Sequence, residues 1–161
     1  MQGGDNAKSS GMLGLLMSVS IIKTGACHCY ILIRKKGIKV KVYAFKDDQQ
    51  GIIEIENSLE AEQAFVGGLI DVYALTDDLD IVLNDEGLIN GLEPRAVVLG
   101  EVTVEAKKQR KIKEIIHGDC FVCRHDDEGN FLSIREEDIK TIQHFVKAVI
   151  SINSGVIIIQ E

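Results

Sequence analysis

The sequence predicts an α+β domain, a mainly antiparallel sheet with two or three helices packed on one face. Three observations predict it. Residues 38–45 alternate apolar and polar with period two, as a strand with one buried face does. Turn clusters such as 46–51, 84–87 and 126–130 separate short apolar runs, which suits antiparallel neighbours. A late segment keeps apolar residues at 139, 142, 145, 146, 149 and 150, the spacing of a helix laid on a sheet.

Taken in order, Ile38 to Phe45 and Ile52 to Glu56 read as a hairpin around the turn 46–51. Asn57 followed by Glu60 marks a helix start, because the Asn side chain can accept from first-turn amides. That helix runs to Val66 and stops at Gly67 and Gly68, glycine supplying the left-handed closing residue. Leu69 to Thr76 and Asp80 to Leu83 are two further strands. Asn84 to Gly87 forms the next turn, with Gly87 suited to positive φ, and Asn90-Gly91 is a strong turn dipeptide in the loop 88–95. Ala96 to Leu99 and Glu101 to Glu105 suggest strands around Gly100. Residues 106–116 are rich in helix formers, with Ile112, Ile115 and Ile116 as a narrow apolar stripe, and predict a helix. Cys120 to His125 and Phe131 to Ile134 are strands, Ser133 with Glu136 is a capping box opening the longest helix, and Val156 to Ile159 forms a last strand or an apolar tail.

The length of 161 residues fits one domain, divided into an N-terminal extension, 1–37, and a single α+β unit, 38–161. The apolar run 11–22 is too short for a transmembrane helix. Only Lys8 offsets Asp5 before it, a thin flank for a signal peptide, so a cytoplasmic protein with no membrane partner is expected.

Net charge is −7, unevenly spread: +6 over residues 1–41, −13 over 42–106 and balanced thereafter. An acidic chain repels nucleic-acid phosphate unless a local basic face outweighs the whole. Two clusters offer one: Arg34, Lys35, Lys36, Lys39 and Lys41, then Lys107, Lys108, Arg110, Lys111 and Lys113. Their ordinary role is a solvated face. Cys27, Cys29, Cys120 and Cys123, with His117 and His125 nearby, contain enough soft ligands for zinc. Phe121 and Val122 make the second pair a strand interior whose thiols face opposite ways. Buried free thiols, with no metal and no cofactor, are therefore expected. Asp77, Asp78, Asp80, Asp85 and Glu86 crowd two neighbouring turns without calcium-loop spacing. His117, Asp119 and His125 flank one strand but lack a nucleophile and an orienting partner, so an enzyme is not expected.

Gly67-Gly68-Leu69-Ile70-Asp71-Val72, Asn84-Asp85-Glu86-Gly87, Gly91-Leu92-Glu93-Pro94-Arg95-Ala96, Gly118-Asp119 and Phe131-Leu132-Ser133-Ile134 occur in that order. Over residues 38–147 this resembles a family of small domains of unknown function found in phages and in conjugative or plasmid elements. Relatives carry Asn where this chain has Pro94, and residues 1–37 have no counterpart among them. The resemblance implies a mobile-element setting rather than a reaction. The expectation is a non-enzymatic accessory protein that binds a host protein or a small signal molecule, with an anti-defence role, through the polar groups Asn84, Glu86, Asn90 and Arg95 on adjacent loops. Nucleic-acid binding through 34–41 and 107–113 is the alternative, and a Cys/His metal protein or enzyme the third reading. A sheet edge or the tail 156–159 is the natural place for a homodimer contact.

Overall fold

The computed structural model describes residues 17–24, 28–35, 37–47, 49–105, 107–153 and 156–159. Strands β1 (Met17–Thr24) and β2 (His28–Lys35) pair with each other as an antiparallel hairpin within the stretch read as an extension; residues 1–16, and with them part of the run 11–22, lie outside the described residues. The predicted hairpin is β3 (Lys39–Lys46) and β4 (Gln49–Glu56). Helix α1 (Leu59–Val66) leads to β5 (Ile70–Ala74) and β6 (Leu79–Asn84). Then come β7 (Pro94–Val104), β8 (Lys107–His117), β9 (Cys120–His125), the short β10 (Phe131–Leu132), α2 (Glu136–Phe145), β11 (Val146–Asn153) and β12 (Val156–Ile159).

A central sheet runs β4-β3-β9-β6-β5, with β10 attached to β9, and a second sheet runs β12-β11-β7-β8. Every pairing is antiparallel. The register aligns Ala44, Phe121, Val82 and Val72 in one row, and Tyr43, Val122, Ile81 and Tyr73 in the next. Side chains alternate along a strand, so these rows occupy opposite faces. The first face carries α1 through Leu59, Phe65 and Val66. The second meets Ala96, Val98 and Ile116 of the second sheet together with Ile142 and Val146. The two helices among the described residues lie on opposite faces, correcting the one-face arrangement; the central sheet is apolar on both sides and must be covered on both.

Local corrections have local causes. The helix 106–116 is strand β8, and the strands placed either side of Gly100 are the single strand β7. Pairing along nearly the whole of β7 outweighs the helix propensity of an isolated Lys-rich segment. Ser58, not Asn57, caps α1: its hydroxyl accepts from the Ala61 amide at 3.2 Å, while Asn57 Nδ2 donates to the Phe131 carbonyl at 3.1 Å. The α2 cap lies two residues beyond Ser133. There the Asp138 carboxylate accepts from the Arg135 amide at 2.7 Å, and the Ser133 hydroxyl instead accepts from the Lys41 amide at 3.0 Å. Helix α2 ends at Phe145 because Val146 to Ala148 pair with β7, so Val149 and Ile150 belong to a strand. The Val156 to Ile159 segment pairs with β11.

Candidate functional site

The loop 85–93 joins β6 to β7, and each of its landmarks is tied to the body of the domain. Gly67 closes α1 at φ 76, its amide donating to the Gln63 carbonyl at 2.9 Å. Gly68 serves packing instead, since a Cβ there would stand 2.7 Å from Asn84 Nδ2. Asn84 is buried, its Nδ2 donating to the Val66 carbonyl at 3.1 Å and its Oδ1 accepting from the Glu86 amide at 2.9 Å. One side chain thus satisfies a carbonyl at the end of α1 and starts the loop. Gly87 is not a positive-φ residue, contrary to expectation. It is glycine because a Cβ would overlap the His117 carbonyl oxygen. Gly91 does adopt positive φ, at 70°. The His117 ring lies 2.8 Å from the Leu92 carbonyl through Nδ1, and the Gly118 amide donates to the Glu93 carbonyl at 2.9 Å.

Arg95 holds the far end of the loop. Its Nε donates to Asp119 Oδ1 at 3.1 Å, and Nη1 donates to the Asp47 carbonyl at 2.6 Å. Lys46 Nζ stands 4.0 Å from Asp119 Oδ2 and 5.4 Å from the centre of the Phe65 ring. A cavity of about 320 Å³ opens beside Arg95, lined also by Phe45, Asp47, Gln49 and Ala148 to Ile150. Of the four residues expected to meet a ligand, Asn84 and Arg95 spend their polar atoms inside the chain. Glu86 and Asn90 are exposed. Between them Leu88 and Ile89 are 71% and 85% exposed, an apolar pair that polarity-based reading overlooked.

Titratable groups elsewhere do not converge. Asp119 and His125 sit at opposite ends of β9, about 20 Å apart for six extended residues, so His117, Asp119 and His125 share no site. Asp77 and Asp78 precede β6 while Asp85 and Glu86 follow it, so the acidic residues divide between two ends of a strand instead of crowding together. His125 Nδ1 is 2.8 Å from Asp80 Oδ2, and burial, opposed by His125, pushes the Asp80 carboxyl above its usual range. Arg124 reaches Asp138 at 2.8 Å and Asp78 at 3.3 Å. Cys120 and Cys123 are buried in the two different cores on opposite faces of the sheet, which prevents them from chelating one ion. Burial drives the Cys120 thiol far up. Cys27 lies outside the described residues. Among the described residues no three His, Cys, Asp or Glu side chains gather to hold a metal, and no helix is long and apolar enough to cross a membrane.

The second candidate surface is the β7–β8 ribbon. Beyond Leu99 it leaves the core: Glu101 to Thr103 and Lys107 to Glu114 are exposed. Glu105 makes the turn with φ 49. Lys107, Lys108, Arg110, Lys111 and Lys113 lie along this edge strand, and the two faces of the ribbon differ. Glu101 stands opposite Arg110 and pairs with Lys108 at 3.2 Å. The hydrogen bond from Lys108, with the charges of Lys108 and His144, holds the Glu101 carboxyl below its usual range. Arg110 Nη2 is 2.9 Å from His144 Nδ1. The other face carries Val102 opposite Gln109 and Gly100 opposite Lys111. Lys113 sits at a register shift, and its stem lies where a Gly100 Cβ would be. Lys107, Lys111 and Lys113 have no carboxylate partner among the described residues. The other basic segment is offset: Lys39 and Lys41 stand opposite Glu56 and Glu54, and the side chains of Arg34 to Lys36 lie outside the described residues.

A family model described as Domain of unknown function (DUF3846) matches residues 39–147. No curated protein and no solved structure matches the chain.

Proposed function

The chain belongs to the DUF3846 family of domains of unknown function, and we propose that it works by binding, with nucleic acid held on the β7–β8 ribbon. The observation that carries this reading is the unpaired row Lys107, Lys111 and Lys113 on an edge strand that stands clear of the core. In a chain of net charge −7, cations without internal partners form the local basic face that phosphate binding needs. The cytoplasm of a host carrying a phage or plasmid, the setting that the family resemblance suggests, supplies such a ligand. The test is fluorescence anisotropy with a labelled 20-base-pair duplex across a salt series, comparing the full chain with a Lys107→Gln, Lys111→Gln, Lys113→Gln variant. Three lost phosphate contacts reduce the slope of log K against log salt by about 2.7. Absence of wild-type binding, or an unchanged slope, removes the proposal.

A second reading rests on Leu88 and Ile89. Their exposure on a loop pinned at both ends supports an accessory role in which this loop docks on a host protein, with an anti-defence consequence. Leu88→Asp with Ile89→Asp is expected to abolish a partner's capture while leaving the fold intact. Capture undiminished by the double substitution counts against it.

A further inference from the structure

We propose that the ribbon enters the major groove of duplex DNA with its Gln109 face inward and reads base edges there; this rests on the nucleic-acid reading above and goes beyond phosphate attraction. The shape of the ribbon selects the groove. The B-form major groove, about 12 Å wide, admits a two-stranded β-ribbon, whereas the deep, narrow major groove of A-form RNA does not. The ladder from Gly100–Lys111 to the turn covers five residues per strand, roughly 17 Å, the length of about five base pairs.

The asymmetry of the two faces selects which one turns inward. Glu101 would set a carboxylate against phosphate or base acceptors if the Lys108–Arg110 face did so. Between Gly100–Lys111 and the turn at Glu105 the opposite face bears no acid: Val102, Gln109 and Lys111 alternate outward, and the stem of Lys113 crosses Gly100 beside them, with Glu114 at the foot of the ribbon opposite Val98. The side chains on that face also suit base edges chemically. A glutamine can bond adenine N6 and N7 as a pair, lysine suits guanine O6 and N7, and an aliphatic group packs on the thymine methyl. Gln109 is exposed and makes no side-chain hydrogen bond among the described residues, and Val102 is 38% exposed. No Phe, Tyr or Trp occurs in 94–117, so the ribbon has no platform on which unpaired bases would stack.

The experiment selects binding sites from a pool of duplexes with a randomised centre, using the full chain, Gln109→Ala and Lys108→Gln. The expected result is an enriched core of about five base pairs that includes an adenine. Gln109→Ala relaxes that position by about tenfold or more, while Lys108→Gln keeps the preference. Duplex binding with normal salt dependence but no enriched core overturns base reading and leaves phosphate binding in place. Tighter binding to single strands or RNA overturns the groove assignment. Failure to bind any nucleic acid overturns both.

Discussion

Asn84→Ala separates a scaffold role from a ligand-contact role for the buried residue that leads into the loop. The side chain is 3% exposed and makes two hydrogen bonds, to the Val66 carbonyl at 3.1 Å and from the Glu86 amide at 2.9 Å. Truncation leaves both partners without their bond. Each orphaned buried group costs about 1–3 kcal/mol. Val66 is itself buried, so its carbonyl falls toward the upper part of that range; Glu86 is exposed, so water recovers part of its loss. The sum is about 3 kcal/mol, a large share of the roughly 5–15 kcal/mol that holds a domain folded, and a fall in Tm of roughly 6–12 °C for a chain of this size. Urea unfolding followed by far-UV circular dichroism should show a lower midpoint at unchanged m-value. Asn84→Asp should do no better, because a carboxylate oxygen replaces the donor facing the Val66 carbonyl. A loss below about 1 kcal/mol in Asn84→Ala would refute this reasoning and return Asn84 to the polar groups free to meet a ligand.

Four further outcomes follow from the same geometry. Gly87→Ala should destabilise by about 1–3 kcal/mol, since its Cβ needs the space of the His117 carbonyl oxygen; a neutral result in the same unfolding assay would mean that the loop moves freely. Phe121→Ala, fully buried and edge-on to Phe65 with centroids 5.5 Å apart, should cost about 3–5 kcal/mol, read from denaturant midpoints. Cys120, with its thiol buried and its ionisation suppressed, should resist alkylation in native buffer and react in urea, as peptide mass mapping would reveal; rapid native labelling contradicts the burial. Burial, against the pull of His125, raises the Asp80 carboxyl in the folded state, so the folded chain binds that proton more tightly than the unfolded one. Its contribution therefore declines as pH rises from the ordinary carboxylate range through the folded value and is constant above it. Asp80→Asn should flatten that decline in a pH series of unfolding midpoints, and an unchanged pH profile would refute the assignment.

Period and punctuation made much of the central sheet legible. The alternation of Val40, Val42 and Ala44, the stop at Gly67 and the strand character of Cys120 to Cys123 all carry through to the structure. The failures occur where a long-range partner decides between two local options. Lys107 to His117 has helix formers and a stripe of three isoleucines, yet β7 lies beside it in sequence with Val97, Val98, Val102 and Val104, and a ladder forms. The missed signal was the density of β-branched residues upstream together with Lys on an edge strand, the usual defence of such edges against further pairing. Val146 to Ile150 failed for the same reason: its apolar spacing satisfies both a helix and a strand, and pairing with Val98 to Ala96 selects the strand. Loop polarity also misled. Asn84 and Arg95 look available in one dimension because nothing local shows that Val66, Asp47 and Asp119 are waiting for them.

The motifs of the resemblance are held by the same internal partners. Gly68, Asn84, Gly87, Leu92, Arg95, Gly118 and Asp119 interlock: the first two pack on each other, Gly87 admits His117, Leu92 lies 2.6 Å from where a Gly118 Cβ would be, and Arg95 joins Asp119. A set of residues that close on one another can be maintained by the need to fold alone, without any ligand. Those motifs therefore locate the joint between the loop, the end of α1 and the start of β9. Among the described residues, side chains with nothing to do inside the chain include Leu88 and Ile89 at the tip of the loop, and Gln109 with Lys107, Lys111 and Lys113 on the ribbon. Function is better sought where exposure is costly or unneutralised, because apolar surface left in water and cations left without partners are the features that folding by itself does not explain.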